Sequence, residues 1–166
     1  MDEGGMDVKE YLALAYDLFQ EAYQCQMDGE LETAIELYQR SIEAYPTAEA
    51  HTFLGWTYSF QGKLDDAIAE CKKAIDIDPD FGNPYNDIGA YLIEKSQHDE
   101  AIPWLMKATK ARRYENYHFA HYNLGRVYVA KELFTRAREA FEQALNLRPD
   151  YETAREALQT LKRHIQ

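Results

Sequence analysis

Small and large apolar residues recur along this chain at helical spacing, and the whole pattern returns four times. The clearest mark is a small residue in the second helix of each unit, at intervals of 33, 34 and 36 residues: Ala34, Ala67, Ala101 and Ala137. A second small position keeps the same register: Ser41, Ala74, Ala108 and Ala144. Because separate positions share one period, the pattern predicts an array of helix-turn-helix units.

Each predicted unit is a pair of short antiparallel helices, whose apolar faces are covered only by stacking on neighbouring units. The helices are expected to cross at a glycine in three units: Gly55, Gly89 and Gly125. A proline ends three units, namely Pro46, Pro79 and Pro149. The third unit has Arg113 there and is longer, which favours either a longer helix, running to about Arg112, or a bulged loop. The predicted units span about 15–47, 48–81, 82–117 and 118–151, with a capping helix over 152–166.

The second unit carries the densest set of these residues: Leu54, Gly55, Tyr58, Ala67, Ala74 and Pro79. This arrangement resembles the tetratricopeptide repeat, whose signature places such residues over about 34 positions. The resemblance implies an all-α fold, a right-handed α-solenoid of four repeats plus a C-terminal capping helix, within a single domain over 7–166. It also implies a scaffold that mainly holds protein partners.

Some members of this family grip the acidic C-termini of heat-shock chaperones with a clamp of Lys, Asn and Arg side chains. Here Phe19 and Tyr23 occupy the clamp positions of the first repeat. Asn83 and Asp87 stand where the third repeat would need bases. The resemblance therefore does not extend to that role.

The charge of the chain is uneven. The net charge is −11, with 11 acidic and 2 basic residues over 1–47 but 4 acidic and 5 basic residues over 118–151. Such a field disfavours nucleic acid and anionic membranes as partners. Two interpretations stay open: an acidic surface that keeps the protein soluble, or contact between the acidic start of one molecule and the mildly basic end of another.

The N-terminal residues 1–6 are acidic and glycine-rich, and we predict that they are disordered. They lack the basic and apolar segments of a signal peptide, and no apolar run is long enough to insert into a membrane. Asp7 and Glu10 are spaced as a capping box at the start of the first helix. Cys25 and Cys71 are expected to be reduced, buried thiols, which favours a cytoplasmic location.

The sequence contains no recognisable catalytic constellation, and we predict that the protein is not an enzyme and needs no cofactor. His118 and His121 lie three residues apart on one helical face. Since no third ligand stands nearby, no metal site is expected. His51 and His121 fall at large apolar positions, where packing is the expected role.

The first helix of each repeat has a second face, which lines the concave groove in solenoids of this family. The candidate groove residues are Tyr16, Phe19, Tyr23, Trp56, Phe60, Asn86, Phe119, Tyr122 and Arg126. Tyr, Trp and Arg dominate binding hot spots, and an Asn side chain can pair with a peptide backbone. The alternative for the rings is burial between adjacent repeats.

The resulting hypothesis is a non-enzymatic adaptor that binds a peptide or helical segment of a protein in an aromatic-lined groove. The alternative is a structural assembly module that self-associates through its end faces. The adaptor hypothesis predicts a monomer, and the assembly hypothesis predicts a weak homo-oligomer.

Overall fold

The structure is a computed structural model that describes residues 5–165. Regular structure over these residues is helical: α1 (Val8–Met27), α2 (Leu31–Ala44), α3 (Ala48–Phe60), α4 (Leu64–Ile77), α5 (Asn83–Glu94), α6 (His98–Ala108), α7 (Tyr117–Ala130), α8 (Phe134–Leu147) and α9 (Glu152–His164). Successive helices form four hairpins followed by a final helix. The all-α class and the arrangement of four repeats plus a terminal helix are therefore confirmed.

The helices divide into two compact units, unit 1 (Met1–Asp78) and unit 2 (Pro79–Gln166). In unit 1, α1 pairs with α2, α3 pairs with α4, and α2 packs against α3. The core of this unit contains Leu18, Ala22, Ala34, Leu37, Tyr38 and Leu54. Of the segment predicted to be disordered, Gly5 and Met6 are exposed ahead of α1, and residues 1–4 lie outside the described part.

In unit 2, α5 pairs with α6 and α7 pairs with α8, while α6 packs against α7. The last helix, α9, packs against α8. Their shared core contains Ala137, Phe141, Leu158 and Leu161. The amphipathic α9 thus covers the apolar side of the last hairpin, as the sequence predicted.

The helix crossings depend on the small residues that mark the period. A Cβ atom added to Gly125 would lie 2.3 Å from the Phe141 ring. A Cβ atom on Gly55 would lie 2.9 Å from the carbonyl oxygen of Ala67, which is itself fully buried. These separations are shorter than van der Waals contact, so the paired helices approach this closely only because the side chain is missing.

Side chains that cap the helices fix where α1 and α3 begin. The Asp7 carboxylate accepts the Glu10 N–H at 2.9 Å, and the Glu10 carboxylate accepts the Asp7 N–H at 2.7 Å. The Thr47 hydroxyl accepts the Ala50 N–H at 3.1 Å. The capping box at Asp7 is confirmed.

The third repeat departs from the others through a loop. Helix α6 ends at Ala108 rather than near Arg112, and residues 109–116 run beside the start of unit 2. The Gly82 N–H donates to the Arg113 carbonyl at 3.0 Å, and the Arg113 N–H donates to the Asp80 carbonyl at 2.9 Å. The Arg113 guanidinium lies 4.0 Å from the centre of the Phe81 ring. These pairings satisfy the loop backbone, so the extra residues form a loop and not a longer helix.

All four hairpins turn through one residue in the left-handed conformation: Gly29 (φ 82°), Gly62 (φ 74°), Ser96 (φ 60°) and Glu132 (φ 58°). In each turn the next residue donates its N–H to a carbonyl five positions earlier, as Lys63 does to Tyr58 at 3.1 Å. Glycine adopts this conformation without a steric penalty. Ser96 and Glu132 adopt it at a steric cost, because each carries a Cβ atom.

Candidate functional site

Unit 1 carries a continuous row of aromatic rings, which we call the aromatic row: Phe19, Tyr23, Phe53, Trp56 and Phe60. Phe53 is its centre, with ring centroids 5.2 Å from Phe19, 5.7 Å from Tyr23 and 5.8 Å from Trp56. Phe60 extends the row, 5.1 Å from Trp56. The contacts around Phe53 are edge-to-face, the geometry that aromatic pairs favour.

Two helices supply this row at helical spacing. Phe19 and Tyr23 lie one turn apart on α1, while Phe53, Trp56 and Phe60 lie on one side of α3. The sequence predicted four of these rings but missed Phe53, although its spacing of three and seven residues from Trp56 and Phe60 is visible in the chain. The structure therefore joins four of the five predicted unit 1 rings, all except Tyr16, through a residue assigned to no site.

Part of this surface faces solvent. Phe60 is 54% exposed and Tyr23 is 39% exposed, while Phe19 and Trp56 are half-buried. Tyr16, one turn before Phe19, is 63% exposed. The aromatic row is therefore neither fully buried nor limited to one exposed side chain.

Acidic side chains follow the solvent side of α1, on a different face of this helix from Phe19 and Tyr23. We call Glu10, Asp17, Glu21 and Asp28 the acidic stripe; they are exposed and lie at spacings of seven, four and seven residues. Burial raises the pKa of the Cys25 thiol, and the carboxylates of Glu30, Glu21 and Asp28 raise it further. The carboxylates of Glu30, Glu21 and Asp28 therefore impose a negative potential around Cys25.

A buried polar cluster links the two helices of the second hairpin. The His51 Nδ1 atom lies 2.6 Å from Glu70 Oε2, and the Lys73 ammonium donates to Glu70 Oε1 at 2.8 Å. Both His51 and Glu70 are 8% exposed. Burial alone would raise the pKa of Glu70, but the bonds from His51 and Lys73 outweigh it and lower that pKa. The sequence analysis assigned His51 to packing among apolar residues. It did not identify the Glu70 carboxylate as its partner.

Unit 2 holds a second group of rings, which surrounds Tyr151. The centroid of Tyr151 lies 5.6 Å from Phe119 and 5.5 Å from Tyr122. Tyr122 also contacts Phe141 at 5.7 Å, and Phe119 is 39% exposed. Tyr151 was not predicted, although Pro149-Asp150-Tyr151 repeats the residue types of Pro79-Asp80-Phe81.

The remaining two predicted residues belong to a polar ladder in unit 2. Asn123 donates from Nδ2 to Asn86 Oδ1 at 3.0 Å, and Arg126 donates from Nη1 to Asn123 Oδ1 at 3.1 Å. Asn86 and Asn123 are 8% and 7% exposed, whereas Arg126 is half-buried. The oxygen of Asn86 is thus already an acceptor within the protein, while Arg126 keeps part of its surface exposed.

Arg126 also borders a cavity of about 710 Å³ in unit 2. Its lining combines helices α7, α8 and α9 with the end of α5, the start of α6 and the turn between α7 and α8: Ile93, His98, Arg126, Val129, Ala130, Glu132, Phe134, Phe141, Ala157, Thr160, Leu161 and His164. Its walls carry seven apolar residues and five polar or charged ones.

The histidines and cysteines form no metal centre in the described residues, where no group of three or more His, Cys, Asp or Glu side chains could hold an ion. Burial lowers the pKa of both His118 and His121, which favours their neutral forms. Cys71 is a buried thiol and Cys25 a half-buried one.

No helix within residues 5–165 combines the length and the apolar character that crossing a bilayer requires.

Comparison with known proteins identifies the repeat. Three family models, each described as tetratricopeptide repeat, match residues 9–48, 48–81 and 80–150. Their boundaries at 48 and near 80 coincide with the starts of the second and third predicted repeats.

Two curated relatives show how much of a longer protein this chain resembles. It is 34% identical to the rice protein SGT1 homolog over 90 residues, which is 54% of this chain and 24% of the relative. It is 28% identical to the type IV pilus assembly protein PilF of Pseudomonas aeruginosa over 120 residues, which is 72% of this chain and 48% of PilF. The chain therefore spans about a quarter to a half of the length of these relatives.

Solved structures show the same fold. The structure of Pseudomonas aeruginosa PilF matches with a TM-score of 0.85 at 23% identity, covering 91% of this chain and 68% of that one. The first TPR domain of Spaghetti (RPAP3), bound to the HSP90 peptide SRMEEVD, matches with a TM-score of 0.66 at 22% identity, covering 72% of this chain and 93% of that one. These similarities confirm the predicted fold class. With the period, the hairpins and the family models in agreement, the chain belongs to the tetratricopeptide repeat family.

Proposed function

We propose that this chain is a non-enzymatic interaction module that binds a peptide or helical segment of a partner protein on its aromatic surfaces. The observation that carries the proposal is the aromatic row of unit 1, which joins Phe19, Tyr23, Trp56 and Phe60 through Phe53 and remains partly exposed. Rings held by their neighbours lose little entropy on binding and supply large contact areas. The cytoplasmic location stays a prediction.

Unit 2 offers a second surface of the same kind. Phe119 and Tyr122 pack against Tyr151, and Arg126 lies on the same helix and is half-buried. Tyr and Arg side chains are enriched among interface hot spots. The structural relative RPAP3 is itself bound to a peptide, which supports a peptide as the class of ligand.

Panning a library of random peptides on the purified protein tests the proposal. We expect peptides enriched on the wild type to be lost on a Tyr23→Ala/Trp56→Ala variant or on a Tyr122→Ala variant. Tyr45→Ala is the matched control, because Tyr45 is 38% exposed at the end of α2 and belongs to neither group of rings. Equal enrichment on all variants, or enrichment on none including the wild type, would contradict the proposal. Circular dichroism would verify that each variant is folded.

A second candidate function is self-association through the start of α1. The first turns of this helix expose several large apolar side chains: Val8 at 63%, Tyr11 at 41%, Leu12 at 41% and Leu14 at 40%. In an array of stacked hairpins, such a face is normally covered by a preceding repeat. A second copy of the chain could cover it in the same way.

A further inference from the structure

We propose that the cavity of unit 2 binds a small molecule, a free aliphatic carboxylic acid. Its carboxylate pairs with the guanidinium of Arg126, and its apolar chain lies against Phe141 and Leu161. This ligand differs from the peptide of the proposed function, and the inference does not rest on that function.

The size and the walls of the cavity suit an apolar chain. Its volume of about 710 Å³ lies within the range of roughly 300–1,000 Å³ that small-molecule sites span. The two most buried side chains of its lining, Phe141 and Leu161, are apolar and are 2% and 4% exposed. An aliphatic chain in the cavity leaves water for the neighbourhood of these side chains, which favours its binding.

The polar side chains of the lining differ in depth. Glu132, Thr160 and His164 are exposed, whereas His98 and Arg126 are half-buried. A guanidinium carries only hydrogen-bond donors, and an imidazole keeps at least one N–H donor in either charge state. The deeper polar groups of the cavity can therefore both donate hydrogen bonds to a carboxylate.

Arg126 lacks a carboxylate partner among residues 5–165. Its hydrogen bond within these residues runs from Nη1 to Asn123 Oδ1 at 3.1 Å, which leaves the other N–H groups of the guanidinium for a ligand. Carboxylates are not scarce in this chain, which has 29 Asp and Glu residues against 18 Lys and Arg. Because partial burial makes an unpaired charge costly, an anion in the cavity would stabilise this side chain.

The charges of the lining select the sign of the ligand. Glu132 is the carboxylate of the described lining, but it is exposed at the turn between α7 and α8 and forms no ion pair with Arg126 in residues 5–165. A cationic amphiphile would meet the guanidinium of Arg126, and a neutral one would leave it unpaired. An apolar chain that ends in a carboxylate complements both the walls and the half-buried cation.

Isothermal titration calorimetry with the purified protein tests this assignment with three probes of equal chain length: decanoate, decan-1-ol and decylammonium. We expect decanoate to bind at a single site, at least about tenfold more tightly than decan-1-ol, because the alcohol cannot form charged hydrogen bonds with Arg126. Decylammonium should bind most weakly of the three. Octanoate should bind about tenfold more weakly than decanoate, because it buries two fewer methylene groups.

Two variants assign this binding to the cavity. Ala157→Leu adds bulk to the lining and should weaken decanoate and decan-1-ol alike, by about tenfold or more. Arg126→Gln should remove the advantage of decanoate over decan-1-ol. The matched control is Arg138→Gln, which removes an exposed charge of α8 outside the lining and should preserve that advantage. Circular dichroism would verify that each variant is folded.

Several outcomes would overturn the inference. Equal binding of decanoate and decan-1-ol to the wild type would exclude a role of the carboxylate, and the absence of saturable decanoate binding would exclude the site. Decanoate binding that neither Ala157→Leu nor Arg126→Gln weakens would lie elsewhere on the protein. A peptide with a free C-terminal leucine that binds more tightly than decanoate, and that Ala157→Leu weakens, would make a protein C-terminus the ligand instead. None of these results bears on peptide binding at Tyr23 and Trp56, so the proposed function is tested separately.

Discussion

At the scale of single residues, the cluster of His51, Glu70 and Lys73 is the feature with the clearest energetic consequence. Glu70 is 8% exposed and its two carboxylate oxygens each accept a hydrogen bond from a nitrogen. Hydrogen bonds to a buried charge contribute more than those between neutral groups. The cluster joins α3, which carries the aromatic row, to α4.

We expect Glu70→Gln to lower the free energy of unfolding at pH 7 by about 1.5–3 kcal/mol, because it removes a charged acceptor from its partners. The pKa of Glu70 is lowered from 4.5, so its stabilising effect is present above about pH 4.5 and is lost as the pH falls through the lower folded-state value. Urea unfolding at several pH values would measure this. The wild type and the variant should converge in acid.

The control for this change is Glu36→Gln, which neutralises an exposed carboxylate on α2. It should alter stability by less than about 0.5 kcal/mol. A deficit of Glu70→Gln that stayed constant down to acidic pH would contradict the assigned role of the ionised carboxylate.

At the scale of the helical hairpin, the four turns share one backbone geometry but not one residue type. Gly29 and Gly62 adopt the left-handed conformation in unit 1, and Ser96 and Glu132 adopt it in unit 2. For a residue with a Cβ atom this conformation costs roughly 1–2 kcal/mol. The cost is partly offset because such a residue has less conformational entropy than glycine in the unfolded chain and so loses less on folding.

We therefore expect Ser96→Gly to stabilise the protein by about 0.5–1 kcal/mol, and Glu132→Gly to do the same. Thermal or urea unfolding would measure each change. Ser96→Ala is the matched control, since it keeps the Cβ atom and should give no such gain. Destabilisation by Ser96→Gly would show that the serine side chain, and not its backbone, determines that turn.

At the scale of the whole molecule, the uneven charge and the exposed start of α1 bear on self-association. If the acidic unit 1 of one molecule binds unit 2 of another, the average molecular mass in low salt should rise with protein concentration. Added salt should lower that mass, because it screens the charges. Leu12→Gln/Leu14→Gln should keep the protein monomeric. Sedimentation equilibrium would measure the mass. A wild type that stays monomeric would exclude this association, and a mass that rises with salt would exclude the head-to-tail arrangement.

The repeats could be predicted well from the sequence, because the helix crossings require small residues and these recur once per repeat. Ala67, for example, is fully buried where Gly55 crosses it. The sequence alone did not distinguish a longer helix from a loop after Ala108. The loop backbone pairs with residues about 30 positions away, at Asp80 and Gly82. Pairings of that kind leave no periodic signal in the chain.

The candidate surfaces were predicted less completely, because helical spacing assigns a residue to a face but does not identify its neighbours. Phe53 and Tyr151 connect the predicted rings, yet the repeat pattern assigned Phe53 to no site and placed Tyr151 only at the end of the fourth repeat. Asn86 lies on the predicted face, but Asn123 of another helix occupies its oxygen. Such contacts form only where two helices approach each other. The residue spacing within either helix therefore does not reveal them.

The pairing of each helix with its neighbours along the chain also has a kinetic consequence. In both units the main contacts join consecutive helices, such as α1 with α2 and α7 with α8. The relative contact order is therefore low, and little loop entropy is lost before native contacts form. Each hairpin can serve as a local nucleus, so folding should be limited by short-range zipping and proceed on the microsecond-to-millisecond scale of helical proteins.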